Sequence, residues 1–403
     1  MNCSSKTKKT LPTNISNALR IVGADAYLIH GNMHTSDLYY ASGFLAADPF
    51  SYMLAANGDE VLLISEMEKG RAEIESRVSN EKIKTTADYN YRELIQEKKD
   101  SFAAYVLVLK RIMTEKKIKA VGVSYEFPAY YYDRLQKEGI DVVLMTSPFT
   151  KPRAVKTEDE IEKIAASQKA AEKAMTAAIK MITDSEISKN GGELIYNGKI
   201  LTGKDVLLEI SRVLLEDGCA DDETIVSCGK NSADPHGKTY GPLYSNEPIV
   251  IDIFPQSKYT RYFGDMTRTV IKGKASDELK QMYDAVKGAQ ATGVNKSKPG
   301  ATCADVHNAV CDYLEAAGYD TYRSGAKEGF IHTTGHGVGI DIHEMPSVSD
   351  NNHILEPGNV ITIEPGLYYP KLGGIRIEDT IVITKEGCRN LNVMEKKFEI
   401  DER

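Results

Sequence analysis

The stretch 251-IDIFPQSKYTRYFGDMTRTV-270 decides the fold of the second half of the chain, because it consists of two apolar, β-branched runs joined by a polar turn. Each run carries a carboxylate, Asp252 or Asp265, where the strand pattern predicts a core residue. A hairpin that turns near Lys258 and Tyr259 is expected to set Asp252 across from Asp265. Two facing carboxylates repel each other unless a cation or a proton lies between them.

Two later strands show the same anomaly. Glu364 ends the run 360-VITIE-364, and Glu378 lies inside 375-IRIEDTIVI-383 on one face with Arg376. An unpaired buried carboxylate is too costly to remain charged. A fold that contains four of them therefore has to neutralise them with arginines, protons or metal ions.

Histidines favour the metal among these alternatives. Six of the eight histidines lie in the second half of the chain: His236, His307, His332, His336, His343 and His353. Three of them fall within 332-HTTGHGVGIDIHE-344, where glycines at 335, 337 and 339 permit close backbone approach and unusual dihedral angles around His336.

The charge balance of such a site predicts two ions. Four carboxylates and one neutral imidazole carry a charge of about −4, which two divalent cations would cancel while lowering the pKa of a water between them. Ligation by oxygens and one nitrogen suits Mn²⁺, Fe²⁺, Co²⁺ or Zn²⁺. The residues thus predict a dinuclear hydrolase site.

The composition of the whole chain narrows the other possibilities. A length of 403 residues is enough for two or three domains, and a formal charge of −8 argues against a nucleic-acid or anionic-membrane footprint. The six cysteines form no CxxC pair, which favours reduced thiols. We find neither an apolar signal-peptide core nor a run of about 18 apolar residues, so we expect a cytoplasmic protein.

The first 150 residues alternate β-rich runs with charged, helix-like segments such as 66–78, which predicts an α/β domain. The predicted strands lie near residues 25–29, 60–65, 103–109, 119–124 and 140–145. A proline-containing polar segment, 147–156, then marks a domain boundary.

The second domain, 151–403, is predicted to be α+β. Thr157 and Glu160 form a capping box, and apolar residues recur at helical spacing up to Ile182. The pattern predicts further helices over 203–217, 276–294 and 302–318, and strands over 223–228, 247–254, 262–272, 359–364 and 374–384.

These residues resemble the pita-bread metallopeptidases, the family of methionine aminopeptidase, aminopeptidase P and prolidase, with creatinase as a non-peptidase relative. The resemblance rests on an ordered set that is far more specific than any one motif: Asp252, 265-DMTRT-269, 336-HGVG-339 with 343-HE-344, 363-IEPG-366 and 376-RIED-379. It implies a pita-bread catalytic domain. The segment 34-HTSDLYYASGF-44 likewise resembles the creatinase/prolidase amino-terminal domain, which implies a homodimer and a preference for short substrates.

The resemblance also implies roles for individual residues. The implied metal ligands are Asp252, Asp265, His336, Glu364 and Glu378, with Asp265 and Glu378 bridging two ions. It implies further that His332 and His343 bind substrate and stabilise the tetrahedral intermediate, that His236 contacts substrate or shuttles a proton, that Glu364 is the general base, and that Arg376 orients carboxylates. Tyr368 is a weaker candidate.

The implied activity is cleavage of the bond between an amino-terminal residue and a following proline, as in an Xaa-Pro dipeptidase or aminopeptidase. Two features depart from the family pattern: the spacing from Asp252 to Asp265 is longer, and no arginine lies between His343 and Glu364 to hold a dipeptide carboxylate. Strict dipeptide preference is therefore not implied. A creatinase-like amidinohydrolase and a noncatalytic peptide-binding relative are the alternatives, although both lack the complete ligand set in the family.

Overall fold

The structure, a computed structural model, describes residues 14–400. The chain forms two compact units, one ending at Arg153 and the other beginning at Ala154.

The first unit is an α/β layer structure built on one mixed sheet of six strands in the order β4-β3-β2-β1-β5-β6. The strands are β1 (Ala26–Gly31), β2 (Phe50–Ala55), β3 (Glu60–Ile64), β4 (Ile83–Thr85), β5 (Ala120–Val123) and β6 (Asp141–Leu144). The helices are α1 (Asn14–Val22), α2 (Ser36–Ser42), α3 (Lys69–Glu75), α4 (Tyr91–Lys98), α5 (Ser101–Glu115), α6 (Ala129–Lys137) and α7 (Thr150–Ala154).

One predicted strand of this unit is wrong. Residues 103–109 lie within helix α5, whose start is capped by the Asp100 side chain through the amides of Phe102 and Ala103. The run is almost wholly apolar because neighbouring faces of the helix are buried, and a short apolar run does not distinguish a buried helix from a buried strand. Strand β2, in contrast, was not predicted.

The second unit is α+β, as predicted, and its helices match the predicted segments. They are α8 (Glu158–Thr183), α9 (Gly203–Glu216), α10 (Asp277–Lys296) and α11 (Cys303–Ala316). The Thr157–Glu160 capping box is confirmed, and the apolar face predicted for α8 is buried in the core of this unit.

Most strands of this unit belong to two sheets, which are ordered β11-β12-β14-β22 and β16-β15-β17-β20-β21. Smaller ladders are β18-β19, β10-β13 and β7-β8-β9. The strands are β7 (Glu186–Ile187), β8 (Leu194–Tyr196), β9 (Lys199–Ile200), β10 (Cys219–Ala220), β11 (Ile225–Cys228), β12 (Ile249–Ile253), β13 (Gln256–Ser257), β14 (Met266–Lys272), β15 (Gly335–Gly337), β16 (Glu344–Val348), β17 (Val360–Ile363), β18 (Gly366–Tyr369), β19 (Gly373–Arg376), β20 (Asp379–Ile383), β21 (Cys388–Asn390) and β22 (Glu399–Ile400).

The opening stretch forms the antiparallel pair β12 and β14, but the expected register is wrong. Thr267 pairs with Asp252, and Asp265 precedes the first residue of β14. The two carboxylates are therefore diagonal neighbours. The long turn is the reason: Gln256 and Ser257 form a separate ladder with β10 before the chain reverses.

The predicted strand 374–384 is two strands. It breaks at Ile377 and Glu378, where β19 pairs with β18 and β20 pairs with β17. Periodicity alone did not reveal this change of partner, because both halves are buried and apolar.

Two further observations concern the described residues only. The five cysteines among them are free thiols, whereas Cys3 lies outside residues 14–400. Within this range, no helix is both long and apolar enough to cross a membrane.

Candidate metal centre

Four carboxylates and one imidazole converge on a cavity of about 780 Å³ within the second unit. Its lining includes all five predicted ligands: Asp252, Asp265, His336, Glu364 and Glu378. The predicted His236, His332, His343 and Arg376 line the same cavity. His307 is buried and is not among the described residues that line the cavity; its Nδ1 lies 2.8 Å from the Thr334 hydroxyl.

Interrupted strands place two of these carboxylates. Glu364 falls between β17 and β18, and Glu378 falls between β19 and β20. The register pairs Ile363 with Asp379 before the breaks and Gly366 with Arg376 after them, so the two breaks face each other. Both acids thus occupy a gap in the ladder instead of a core position, which explains how a strand-like sequence contains them.

The orientation of His336 is the most informative feature of the site. Its Nδ1 lies 3.2 Å from the carbonyl oxygen of Gly337, which only accepts, so Nδ1 carries the proton. The unprotonated Nε2 then faces Asp265 Oδ2 at 3.5 Å and Glu364 Oε1 at 3.3 Å. A lone pair aimed at two carboxylates is repulsive unless a cation or protons lie between them.

The chemistry of the donor atoms fits a metal ion. Ligand atoms of Asp265, His336 and Glu378 lie within 4.8 Å of one another. Asp252 adds a carboxylate oxygen, Oδ1, that is buried without a hydrogen-bond partner among the described residues. Buried polar atoms are rarely left unpaired, and an ion would supply the missing partner.

The metal-free electrostatics agree with this fit. Burial, reinforced by the neighbouring carboxylates, raises the pKa of Asp265 and of Glu378 well above the usual range. Burial raises the pKa of Glu364 to about 7. Burial also lowers the pKa of His336, so the site disfavours charge on all four groups unless a cation balances it.

Arg376 connects the carboxylates to the surrounding side chains. Its Nη2 donates to Asp252 Oδ2 at 2.7 Å, and its Nε donates to the Thr267 hydroxyl at 3.3 Å. That hydroxyl donates to Glu378 Oε2 at 2.7 Å. One guanidinium therefore fixes two predicted ligands, Asp252 directly and Glu378 through Thr267, as expected of a group that orients carboxylates.

The polarity of the hydrogen bonds around His332 can be assigned in the same way. Its Nδ1 donates to the Thr333 carbonyl at 2.7 Å, so Nε2 is an acceptor for the Tyr368 hydroxyl at 3.0 Å. Arg376 Nη1 in turn donates to the Tyr368 oxygen at 2.9 Å. Burial lowers the pKa of His332 to about 4, which keeps the ring neutral.

The other two histidines are closer to solvent. His343 packs edge-on against His336, with ring centroids 4.2 Å apart, and burial lowers its pKa. His236 follows a short 3-10 helix, Gly229–Ala233, and its amide donates to the Asp234 carboxylate at 3.1 Å. Both are exposed side chains that line the cavity.

The glycines around His336 allow close backbone packing, as expected. The unusual dihedral angles that were also expected are not found. A Cβ on Gly335 would lie 2.0 Å from the Thr362 carbonyl oxygen, and a Cβ on Gly337 would lie 2.4 Å from that of Met345. Neither these glycines nor Gly339 adopts a positive φ. The neighbouring strands thus approach the His336 backbone too closely for any side chain.

Sequence reasoning missed two supporting polar groups. The Thr362 hydroxyl accepts from the His336 amide at 3.0 Å and donates to Glu364 at 3.1 Å. The amide of Asp265 donates to the Gln168 side chain at 2.8 Å. Gln168 interrupts the apolar face of α8, and a polar residue at such a position was the available signal.

Comparison with known proteins links this geometry to one group. Residues 162–385 match metallopeptidase family M24, and residues 13–155 match the creatinase/prolidase N-terminal domain. The chain is 30% identical to the Xaa-Pro dipeptidase of Pyrococcus horikoshii over 387 residues, which cover 93% of this chain and 94% of the relative.

Solved structures show the same similarity. The crystal structure of the prolidase from P. horikoshii superposes with a TM-score of 0.77 at 28% identity, covering 96% of this chain and 98% of the prolidase. That of the X-Pro aminopeptidase from Thermotoga maritima superposes with a TM-score of 0.76 at 25% identity, covering 95% and 99% of the two chains.

Proposed function

The chain belongs to metallopeptidase family M24, and from this premise we propose that it is a dinuclear exopeptidase that cleaves between an amino-terminal residue and a following proline. The similarity to the Xaa-Pro dipeptidase, which extends over nearly the whole of both chains, supports this activity. We propose further that residues 1–150 form the creatinase/prolidase-like amino-terminal domain and that residues 151–403 form the pita-bread catalytic domain.

The proposed ligands of two divalent ions are Asp252, Asp265, His336, Glu364 and Glu378, and the candidate metals are Mn²⁺, Co²⁺, Fe²⁺ and Zn²⁺. The single observation that carries this proposal is the unprotonated His336 Nε2, which points at two carboxylates. When bound, such ions polarise a carbonyl and lower the pKa of a water.

The remaining roles belong to side chains of this protein. Glu364 is the proposed general base, because its carboxylate lines the cavity beside the other proposed ligands, within reach of a water held there. Arg376 holds Asp252 through Oδ2, and Oδ1 has no hydrogen-bond partner among the described residues. His236 and His343, which are exposed to the cavity, are the proposed contacts to the substrate carbonyl and leaving nitrogen.

His332 receives a narrower role than the sequence suggested. Its Nε2 accepts from Tyr368 and has no proton to donate to an oxyanion. We therefore propose that His332 and Tyr368 form an uncharged side of the cavity, which orients Arg376 through the Tyr368 hydroxyl and positions the peptide. Support of the oxyanion then depends on His343 and His236.

The cavity gives one indication about substrate length. Among the described residues, Arg376 is the only lysine or arginine that lines it, and four of its five N–H groups already bind Asp252, Tyr368, Thr267 and the Pro235 carbonyl. A dipeptide carboxylate would thus find no ammonium, and only one guanidinium N–H without a bond, among these lining residues. We propose that peptides longer than a dipeptide are cleaved at least as well as dipeptides.

The test is hydrolysis of Xaa-Pro dipeptides and of longer Xaa-Pro peptides with Mn²⁺ or Co²⁺ added. Creatine serves as the substrate for the creatinase-like alternative. We expect cleavage after the first residue of the peptides and no turnover of creatine. No cleavage of either peptide class would contradict the proposed specificity, and peptide binding without turnover would indicate the noncatalytic alternative.

We propose finally that the enzyme is a cytoplasmic homodimer. The resemblance of the amino-terminal domain supports a dimer, and the free thiols among the described residues suit a reducing compartment. Light scattering on the purified protein tests the dimer, which would be contradicted by a mass of one chain.

A further inference from the structure

A buried ion pair lies next to the site and has no role in the chemistry described above. Lys156 Nζ lies 2.6 Å from Glu344 Oε1, and the two side chains are only 2% and 8% exposed. Burying two charges gains little stability compared with apolar residues of the same volume. Such a pair is therefore better explained by what it holds in place.

Glu344 belongs to the chain segment that connects two of the site histidines. It directly follows His343, it lines the same cavity, and it pairs with Gly337, the residue after His336. A Cβ on Gly339 would lie 2.3 Å from the Glu344 carboxylate, so this carboxylate lies directly over the backbone of the segment. We call residues 337–344 the histidine connector.

Lys156 is fixed independently of that connector. Its amide donates to the Gly358 carbonyl at 2.8 Å, and the preceding Val155 forms an antiparallel bridge with Asn359. Strand β17, which leads to Glu364, begins at the next residue. The ammonium of Lys156 therefore ties the histidine connector to the base of the strand that carries a predicted ligand.

Two uncharged groups of the long turn also contact the histidine connector. The Phe263 amide donates to the Gly339 carbonyl at 2.8 Å, and the Gln256 side chain donates to that of Ile340 at 3.1 Å. Both residues belong to the long turn between Asp252 and Asp265. Lys156 supplies a charged contact, and it acts at the end of the connector where His343 lies.

We propose that Lys156 is a positioning residue, which fixes His343 against the metal-ligand set through its ion pair with Glu344. This inference rests on the proposed function, because it assigns Lys156 a role in the same site. Removing Lys156 would take away a buried cation that lies 2.6 Å from the Glu344 carboxylate, and the loss of one partner of a buried ion pair is destabilising. The connector would then shift, and His343 would move with it.

The experiment compares Lys156→Met, Lys156→Arg and a matched control, Lys173→Met. The control removes an exposed ion pair with Asp217 in the same unit. We expect Lys156→Met to lower kcat at least about 10-fold, with KM and Mn²⁺ affinity changed less than about 2-fold. Lys156→Arg should recover most of kcat, since it keeps the charge, and Lys173→Met should match wild type.

The decisive readout is the double variant with His343→Ala. If Lys156 acts through His343, Lys156→Met changes kcat by less than about 2-fold in the His343→Ala background. Losses that multiply in the double variant would overturn the proposal, because they would show that Lys156 acts independently of His343. Equal loss of Mn²⁺ affinity and kcat in Lys156→Met would overturn it as well.

A second measurement does not depend on any substrate. Hydrogen exchange of the histidine connector should accelerate at least about 10-fold in Lys156→Met, while strands β12 and β14 keep their wild-type protection. If Lys156→Met does not fold, the double variant Lys156→Met/Glu344→Gln replaces it in the experiment, because that variant removes both charges of the pair. If the wild type does not cleave Xaa-Pro peptides, the proposed function is wrong, but hydrogen exchange still tests the role of Lys156. Unchanged protection of the histidine connector in Lys156→Met would contradict that role.

Discussion

Arg376 Nη2 donates to Asp252 Oδ2 at 2.7 Å, while the other oxygen of the same carboxylate is buried without a hydrogen-bond partner in the described part of the chain. One side of Asp252 is thus neutralised by a guanidinium and the other side is left for a ligand. This division of one carboxylate between a fixed cation and an unfilled position is the arrangement expected where a metal ion binds.

The first prediction concerns that guanidinium. Arg376→Lys keeps a positive charge but loses the geometry that reaches Asp252, Thr267 and Tyr368 together. We expect Mn²⁺ affinity to fall about 10- to 100-fold, as measured by titration calorimetry. The control is Arg323→Lys, at an ion pair with Asp312 on the surface. Unchanged affinity in Arg376→Lys would show that Arg376 does not orient the ligands.

The second prediction concerns the Tyr368 hydroxyl. Tyr368→Phe keeps the buried ring but leaves His332 Nε2 without its donor. An unsatisfied buried acceptor costs about 1–3 kcal/mol, so the free energy of unfolding should fall by that amount in denaturant titrations, and kcat should fall with it. Tyr369→Phe is the matched control, because Tyr369 is a partly exposed neighbour. Equal stability of the two variants would contradict the assigned hydrogen bond.

The third prediction concerns close packing behind His336. Gly335→Ala would place a methyl group 2.0 Å from the Thr362 carbonyl oxygen, so strand β15 has to move. We expect a loss of metal affinity measured by calorimetry, and a lower melting temperature. Gly387→Ala is the control, since nothing lies within 4 Å of its added methyl group. Wild-type metal binding by Gly335→Ala would contradict the packing argument.

The fourth prediction concerns pH and metal-dependent stability. Burial raises the pKa of Glu364 from 4.5 to about 7, so protonation of Glu364 stabilises the metal-free fold. That contribution is complete below about pH 4.5 and is lost as the pH rises through about 7. Asp265 and Glu378 shift in the same direction.

Mn²⁺ binds the deprotonated carboxylates, so its stabilising effect has the opposite pH dependence. The rise in melting temperature from chelator to Mn²⁺ should therefore be larger at pH 8 than at pH 5.5, as measured by scanning calorimetry. In Asp265→Asn the rise should be small at both values. A wild-type rise that is independent of pH would show that these carboxylates are not the ligands.

The sequence predicted much of this molecule where local patterns are strong. The capping box at Thr157, the helices of the second unit and the grouping of four carboxylates with His336 follow from spacing, charge and periodicity. The predicted strand over 103–109 failed because burial on neighbouring helix faces removes the helical period. The break at Glu378 was not predicted, because the change of partner from β18 to β17 depends on tertiary structure and leaves no mark in the local pattern.

Other features of the site depend on atomic geometry that spacing does not contain. The proton position on His332 follows from its contacts with the Thr333 carbonyl and the Tyr368 hydroxyl. Tyr368 lies 36 positions after His332 in the sequence. The Lys156–Glu344 pair joins residues that are far apart in the sequence of the second unit. Neither pair is adjacent in any helix or strand pattern, so only the folded arrangement reveals them.

The proposed dinuclear metallopeptidase site can be tested by titrating metal-free protein with Mn²⁺ while measuring bound metal and Xaa-Pro cleavage together. We expect cleavage to rise with metal and to level off near two ions per chain. Asp265→Asn should lose both the bound metal and the cleavage. Full cleavage by metal-free protein, or by Asp265→Asn without bound metal, would contradict a metal-dependent site built on these carboxylates.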